Sequence, residues 1–195
     1  MANRNTQGFG LIPAGTLGST PATAGLGKYK IDAGYSTTIY NGGAVASSAG
    51  YIIDGQTTDA PILGVLNGIF YNAATTLKPT FANFYKQPIT PANSEDITAF
   101  VIDNPLQLYM GLIDGAVAQA GYGKTYGLTT GDPAGSTLSG QSSSKILTAG
   151  VSNTANSWRL LRSAEDPEND ENAAGRSVLV AQNLNQFLTN SLSWQ

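Results

Sequence analysis

Between positions 96 and 114 the chain reads DITAFVIDNPLQLYMGLID, and its apolar residues recur at every second position on both sides of a turn signal. Ile97, Ala99 and Val101 share one face of a strand and Thr98, Phe100 and Ile102 the other, because successive side chains of an extended backbone point to opposite sides. Asp103, Asn104 and Pro105 stop the run: the Asx side chains bond their own backbone, and proline presets φ while donating nothing to a ladder. Leu106, Leu108, Met110 and Leu112 then alternate with Gln107, Tyr109 and Gly111, giving one apolar face and one mixed face. This pattern predicts a hairpin, the expected spine of a small β-barrel or sandwich.

The rest of the chain reads as short strands cut by turns. KYKI and STTIY are predicted strands, followed by a tight turn at Asn41-Gly42 and a return strand from Ala44. Tyr51 to Ile53, Ile62 to Tyr71, Phe81 to Tyr85, Tyr126 to Thr130, Trp158 to Leu161 and Val178 to Val180 follow, and Gly64 and Gly68 inside the long run mark a bulge or a close backbone approach. Gly131 to Ser144 is rich in Gly and Ser and predicts an exposed loop. Ala116 to Ala120 has the composition for one helical turn, but Gly121 and Gly123 favour a loop, and Leu184, Phe187, Leu188 and Leu192 have the spacing of a short terminal helix. Turns every dozen or so residues are the all-β pattern.

Residues 1–27 carry six glycines and two prolines, and their few apolar residues show no period. They read as a frayed or surface-draped terminus, or as an arm that orders on a neighbouring subunit through Phe9, Leu11 and Ile12. The expected organisation is an extended arm over 1–27, a β-domain over 28–186 and a tail over 187–195.

Composition narrows the function. Charged residues are only 12% of the chain, against roughly a quarter in ordinary soluble domains. Such a neutral-polar surface is expected to be covered by a partner or by copies of itself. The chain has no Cys and no His, which removes Ser-His-Asp and Cys-His nucleophiles, His-ligated zinc and disulfides. A net charge of -3 without a basic stripe argues against nucleic acid. MANRNTQGFG has no apolar signal region and no run reaches membrane length, so the protein is expected to stay in the cell that makes it unless it leaves within a particle.

Three stretches were weighed for chemistry. Residues 165–171 hold five of the thirteen acidic side chains, enough oxygen for Ca²⁺, but without EF-hand spacing. Glu95 and Asp96 are adjacent and so point to opposite faces of a strand, a poor pair for glycoside hydrolysis. Gly121, Gly123 and Lys124 lack the first glycine of a phosphate loop, since Ala118 stands there, and read as a turn. No catalytic residue, cofactor or metal is expected. Tyr35 and Tyr40, with other strand tyrosines, suit a contact surface.

The succession GFGLIP, KYKIDAGYSTTIYNGGAV, ILGVLNGIFY, ITAFVIDNPLQLYMGLIDG, SGQSSS and WRLLRSAEDPENDENAAGRSVLVAQNLN resembles virion structural proteins of tailed bacteriophages, similar to small head decoration (cement) proteins. The likeness runs from about Gly8 to Asn185, with Phe187 to Gln195 as an extension. It implies a compact SH3-like or OB-like barrel, from which the long Gly-rich loops of this chain depart, and a non-enzymatic protein on the outer surface of the phage head. The implied partners are the major capsid protein and further copies of this chain, with no nucleic acid and no membrane. Phe9, Leu11, Ile12, Tyr35 and Tyr40 are the expected capsid or subunit contacts, and deleting residues 2–20 is expected to leave a folded domain that binds more weakly. The alternatives are a tail or connector subunit, distinguished by copy number, and a surface-displayed carbohydrate-binding β-domain, which needs Trp158, Trp194 and the tyrosines exposed.

Overall fold

The computed structural model describes residues 7–18, 25–55, 60–129, 135–165, 170 and 173–188. Twelve strands carry the fold: β1 (Ile12–Thr16), β2 (Gly27–Ile31), β3 (Ala44–Ser48), β4 (Tyr51–Asp54), β5 (Gly64–Asn72), β6 (Pro79–Ala82), β7 (Ile97–Ile102), β8 (Gln107–Leu112), β9 (Thr125–Leu128), β10 (Ile146–Ser152), β11 (Trp158–Ser163) and β12 (Ser177–Gln182). Among the described residues the only helical pieces are the 3-10 turns Ala92–Ser94 and Gln119–Gly121. None is long and apolar enough to cross a membrane.

The strands form two antiparallel sheets, as the all-β reading expects. The first runs β1-β8-β12-β11-β9-β10, and the second runs β2-β7-β5-β3-β4 with β6 added to β5. Neither is a closed barrel. In the second sheet the edge strands β2 and β4 come into contact without ladder bonds, so the sheet rolls around its own core of Ile31, Val45, Ile52, Leu66, Ile69, Ile97, Ala99 and Val101. The first sheet curls too: one bridge between Ile113 and Ile146, with the Asp114 N–H donating to the Ile146 carbonyl at 3.0 Å, ties the end of β8 to the start of β10. The core of the first sheet takes Ala44, Ile62, Val65 and Ile102 from the second half alongside Tyr109, Trp158, Leu160, Val178 and Val180. The two halves therefore share apolar burial.

The expected hairpin does not form. β7 lies between β2 and β5 in the second sheet, whereas β8 lies between β1 and β12 in the first. Residues 103–106 are a crossover between sheets, held by an Asn104 side chain that accepts the Leu106 N–H at 3.0 Å. Two-residue hairpins need positive φ in the turn, which Pro105 forbids at its own position. That geometry occurs instead between β3 and β4, where Ala49 (φ 49°) and Gly50 (φ 85°) connect Ser48 to its partner Tyr51.

The inward face of β8 is the mixed one. Gln107, Tyr109 and Gly111 are buried while Leu108 and Met110 are only half-buried. Gln107 is satisfied there by donating to the carbonyls of Gly15 at 2.6 Å and Leu108 at 3.0 Å. Tyr109 packs edge-on against Trp158 at 5.5 Å and donates to the Ile102 carbonyl at 3.1 Å. Gly111 leaves room for Leu11, whose Cδ2 would lie 3.4 Å from a Cβ at that position.

Leu11 comes from the stretch read as an arm. Gly10 to Thr16 are built onto the first sheet: the Gly10 N–H donates to the Ser144 carbonyl at 3.3 Å, the Leu11 N–H to the Gly42 carbonyl at 2.8 Å, and β1 pairs with β8. Gly10 has φ 74°, and a side chain there would meet the Gly42 carbonyl oxygen at 2.7 Å. Removing residues 2–20 therefore takes a core leucine and an edge strand from the fold. The ordering energy comes from a slot that β8, Gly42 and Ser142 provide, which the segment's own composition does not reveal.

Several other elements differ from the pattern. STTIY makes only one bridge, Ile39 to Tyr85, and the stretch 146–152 forms β10 without having been read as a strand. In the Gly/Ser-rich connection, Ser142 and Ser144 are each 1% exposed and bond each other at 2.9 Å. Leu184 lies in a bend and Phe187 and Leu188 in a turn, and Leu192 lies outside the described residues. The bulge expected at Gly68 is present, with φ 121° and a register shift between Leu66 and Ile69.

Candidate interaction face

Of the five expected contact residues, Leu11 and Tyr40 are buried, Phe9 and Tyr35 are half-buried and Ile12 is exposed. Leu11 is 2% and Tyr40 4% exposed, the latter stacked on Phe84 at 5.5 Å. Tyr35 is half-buried: its hydroxyl accepts the Asp54 N–H at 2.8 Å and its carbonyl accepts the Tyr85 hydroxyl at 2.6 Å. Phe9 is half-buried and its carbonyl accepts from Gln141 at 2.8 Å. Ile12, 39% exposed, is the most exposed of the five.

Ile12 is the edge of a larger surface that the periodicity had placed elsewhere. Register carries one outer row from Ile12 to Met110, Leu179 and Arg162, and a second from Leu108 across the buried Ala181 to Arg159. Paired residues in a ladder share a face, so these side chains form one block across β1, β8, β12 and β11. Its apolar members bring Leu106, 48% exposed, to the same end. The two arginines border it. Arg159 donates to the Gly123 carbonyl at 2.5 Å and to Asn183 at 2.7 Å, while Arg162 pairs with Glu165 at 3.8 Å in an exposed contact.

The outer face of the second sheet carries a different surface. Phe70 and Phe81 are cross-strand partners with rings 4.7 Å apart, and Phe100 lies nearly parallel to Phe81 at 6.4 Å. Phe81 is 72% exposed. Lys28 and Lys30 pair with Phe100 and Thr98 on β2.

The buried or half-buried ionisable side chains Tyr29, Tyr109 and Arg176 serve packing. Burial, and then the hydrogen bond to Asp103 at 2.6 Å, push the Tyr29 phenol well above its usual range. Burial does the same for Tyr109. Arg176 is 1% exposed, donates to the Val117 carbonyl at 3.0 Å and lies 5.7 Å from the centre of the Tyr122 ring. Gly121 to Gly123 form a turn before β9, not a strand-to-helix phosphate loop. Among the described residues no three of His, Cys, Asp and Glu gather as metal ligands. Residues 166–169 and 171 of the acidic stretch lie outside the described residues. Trp158 is 1% exposed and cannot act as a sugar platform, and Trp194 lies outside the described residues. Glu95 and Asp96, expected to diverge, line the same cleft.

No family model, curated protein or solved structure matches the chain.

Proposed function

We propose that this chain is a structural virion protein of the tailed-phage type, a decoration or cement protein that docks on the outer surface of the head against the major capsid protein. The observation that carries the reading is the apolar block Ile12, Leu108, Met110 and Leu179 on a regular outer sheet face. These exposed or half-buried aliphatic side chains on three adjacent strands stand outside both core clusters, and contiguous apolar surface patches mark protein contacts. The low charge of the chain lowers the desolvation cost of covering such a face. The resemblance of its motifs to head decoration proteins supplies the identity of the partner.

The mechanism is mechanical. A module stabilises a shell when it contacts two or more shell subunits at once and deforms little under load. Two curled sheets with a shared core give the stiffness. The β1 edge, Ile12–Thr16, lets one copy reach a second subunit or a sister copy.

The test is co-sedimentation of the purified chain with heads assembled from its cognate major capsid protein. Met110→Lys and Leu179→Lys are expected to weaken binding at least about tenfold, the effect of about 1.4 kcal/mol. Binding unchanged in both variants would remove this face from the mechanism.

A further inference from the structure

A second surface points to a ligand of different chemistry. A cleft of about 270 Å³ opens on the outer face of the second sheet, lined by Lys30, Phe70, Asn72, Glu95, Asp96 and Thr98 among others. Register puts Lys30 beside Thr98 and Thr98 beside Phe70, so one row of three strands forms its floor. The turn carrying Glu95 forms its wall. That turn holds two consecutive non-glycine residues in the left-handed region, Asn93 and Ser94, both at φ 56°. Such backbone is uncommon outside glycine and persists where the surrounding structure holds a turn in one shape. Asp96 lines the cleft, and its charge raises the nearby Tyr51 phenol.

The lining selects among ligand classes. Two carboxylates repel phosphate and sulfate groups, and Lys30 opposes a bare cation. The described residues offer no third acidic group for a metal. What remains complementary is a ligand with many groups that both donate and accept, because carboxylates accept, the ammonium donates, and the amide and the Thr98 hydroxyl do both. The aromatic strip Phe70, Phe81 and Phe100 adds a flat apolar wall leading out of the cleft. Hydroxyl-rich edges with apolar C–H faces are the chemistry of a sugar ring. We infer that this cleft and its phenylalanine strip bind a short neutral saccharide, with Glu95, Asp96 and Lys30 on its hydroxyls and Phe81 against a ring face. The volume suits one or two rings, since pockets for larger ligands begin near about 300 Å³. These residues differ from the tryptophans that a lectin reading requires, and they belong to the other sheet from the proposed shell contact, so either proposal can fail alone.

The experiment is saturation-transfer NMR on the full chain with cellotetraose, maltotetraose and chitotetraose at up to about 10 mM, backed by a broad glycan array. At least one saccharide is expected to bind, with affinity reduced at least about tenfold in both Phe81→Ala and Asp96→Asn. Phe81 is largely exposed, so its loss leaves the fold intact, and unchanged amide spectra away from the cleft verify this. Glu95→Gln, also at the surface, is expected to weaken binding while retaining the melting temperature. Three results would overturn the inference: no binding to any glycan, binding unaffected by either Phe81→Ala or Asp96→Asn, or binding of a tetralysine peptide in place of the saccharides.

Discussion

Replacing Leu11 with alanine separates a built-in strand from a loose arm. Leu11 is 2% exposed and belongs to the cluster that includes Ala44, Ile62, Val65, Tyr109 and Ile146. Its side chain fills the space that Gly111 leaves open on β8. Truncation removes three heavy atoms from a packed core and leaves a cavity, and buried Leu→Ala changes cost about 2–5 kcal/mol. Because β1 is an edge strand that can relax inward, a value near the middle, about 3 kcal/mol, is expected. For a chain of this length that lowers the melting temperature by about 6–12 °C. Ile12→Ala, one residue on and 39% exposed, is expected to cost less than about 1 kcal/mol. The assay is urea unfolding followed by circular dichroism, with calorimetry as a check that one transition is seen, since the sheets share a core. If Leu11→Ala and Ile12→Ala are equal and both small, the N-terminal strand does not form in solution and the account of β1 fails.

Other predictions are quicker to check. In a Trp194→Phe variant, Trp158 emission is expected to be blue-shifted and nearly insensitive to acrylamide, because the ring is 1% exposed against Tyr109; strong quenching would contradict its place in the core. With no histidine to titrate, stability is expected to be flat from about pH 6 to 9. The phenols of Tyr29 and Tyr109 are raised in the folded state, so above about pH 10 the unfolded chain ionises first and stability falls with rising pH; a rise there would reverse the sign. Gly10→Ala is expected to destabilise by more than 1 kcal/mol, from positive φ together with contact on the Gly42 carbonyl; a neutral result in thermal melts would show that the strand entry rearranges freely.

The strands were legible where alternation was strict, and their partners were not. Ile97, Ala99 and Val101 were placed on one face by sequence and are all buried, because a period of two needs only local information. Pairing is a non-local property: β7 and β8 are neighbours in sequence yet each already has two ladder partners from distant segments. In β8 both alternating sets are plausible interiors, and the outcome turned on Gln107 finding the Gly15 carbonyl and on Tyr109 meeting Trp158. That ambiguity hides the candidate interaction face, since alternation alone does not say whether the side carrying Leu108 and Met110 turns inward. The signal that was available is the conjunction of Gln107, Tyr109 and Gly111: a small residue and two hydrogen-bonding side chains suit a crowded interior as well as a wet surface. Glu95 and Asp96 were separated by strand logic, but they precede β7 on a strained turn where alternation does not apply.

The central claim is a repeating structural role on a phage head, and stoichiometry tests it most directly. Quantitative mass spectrometry of purified particles, comparing copies of this chain with copies of the major capsid protein, is expected to give a ratio near one or a simple fraction such as one third. A handful of copies per particle would move the protein to the tail or connector, and its absence from particles would contradict the account.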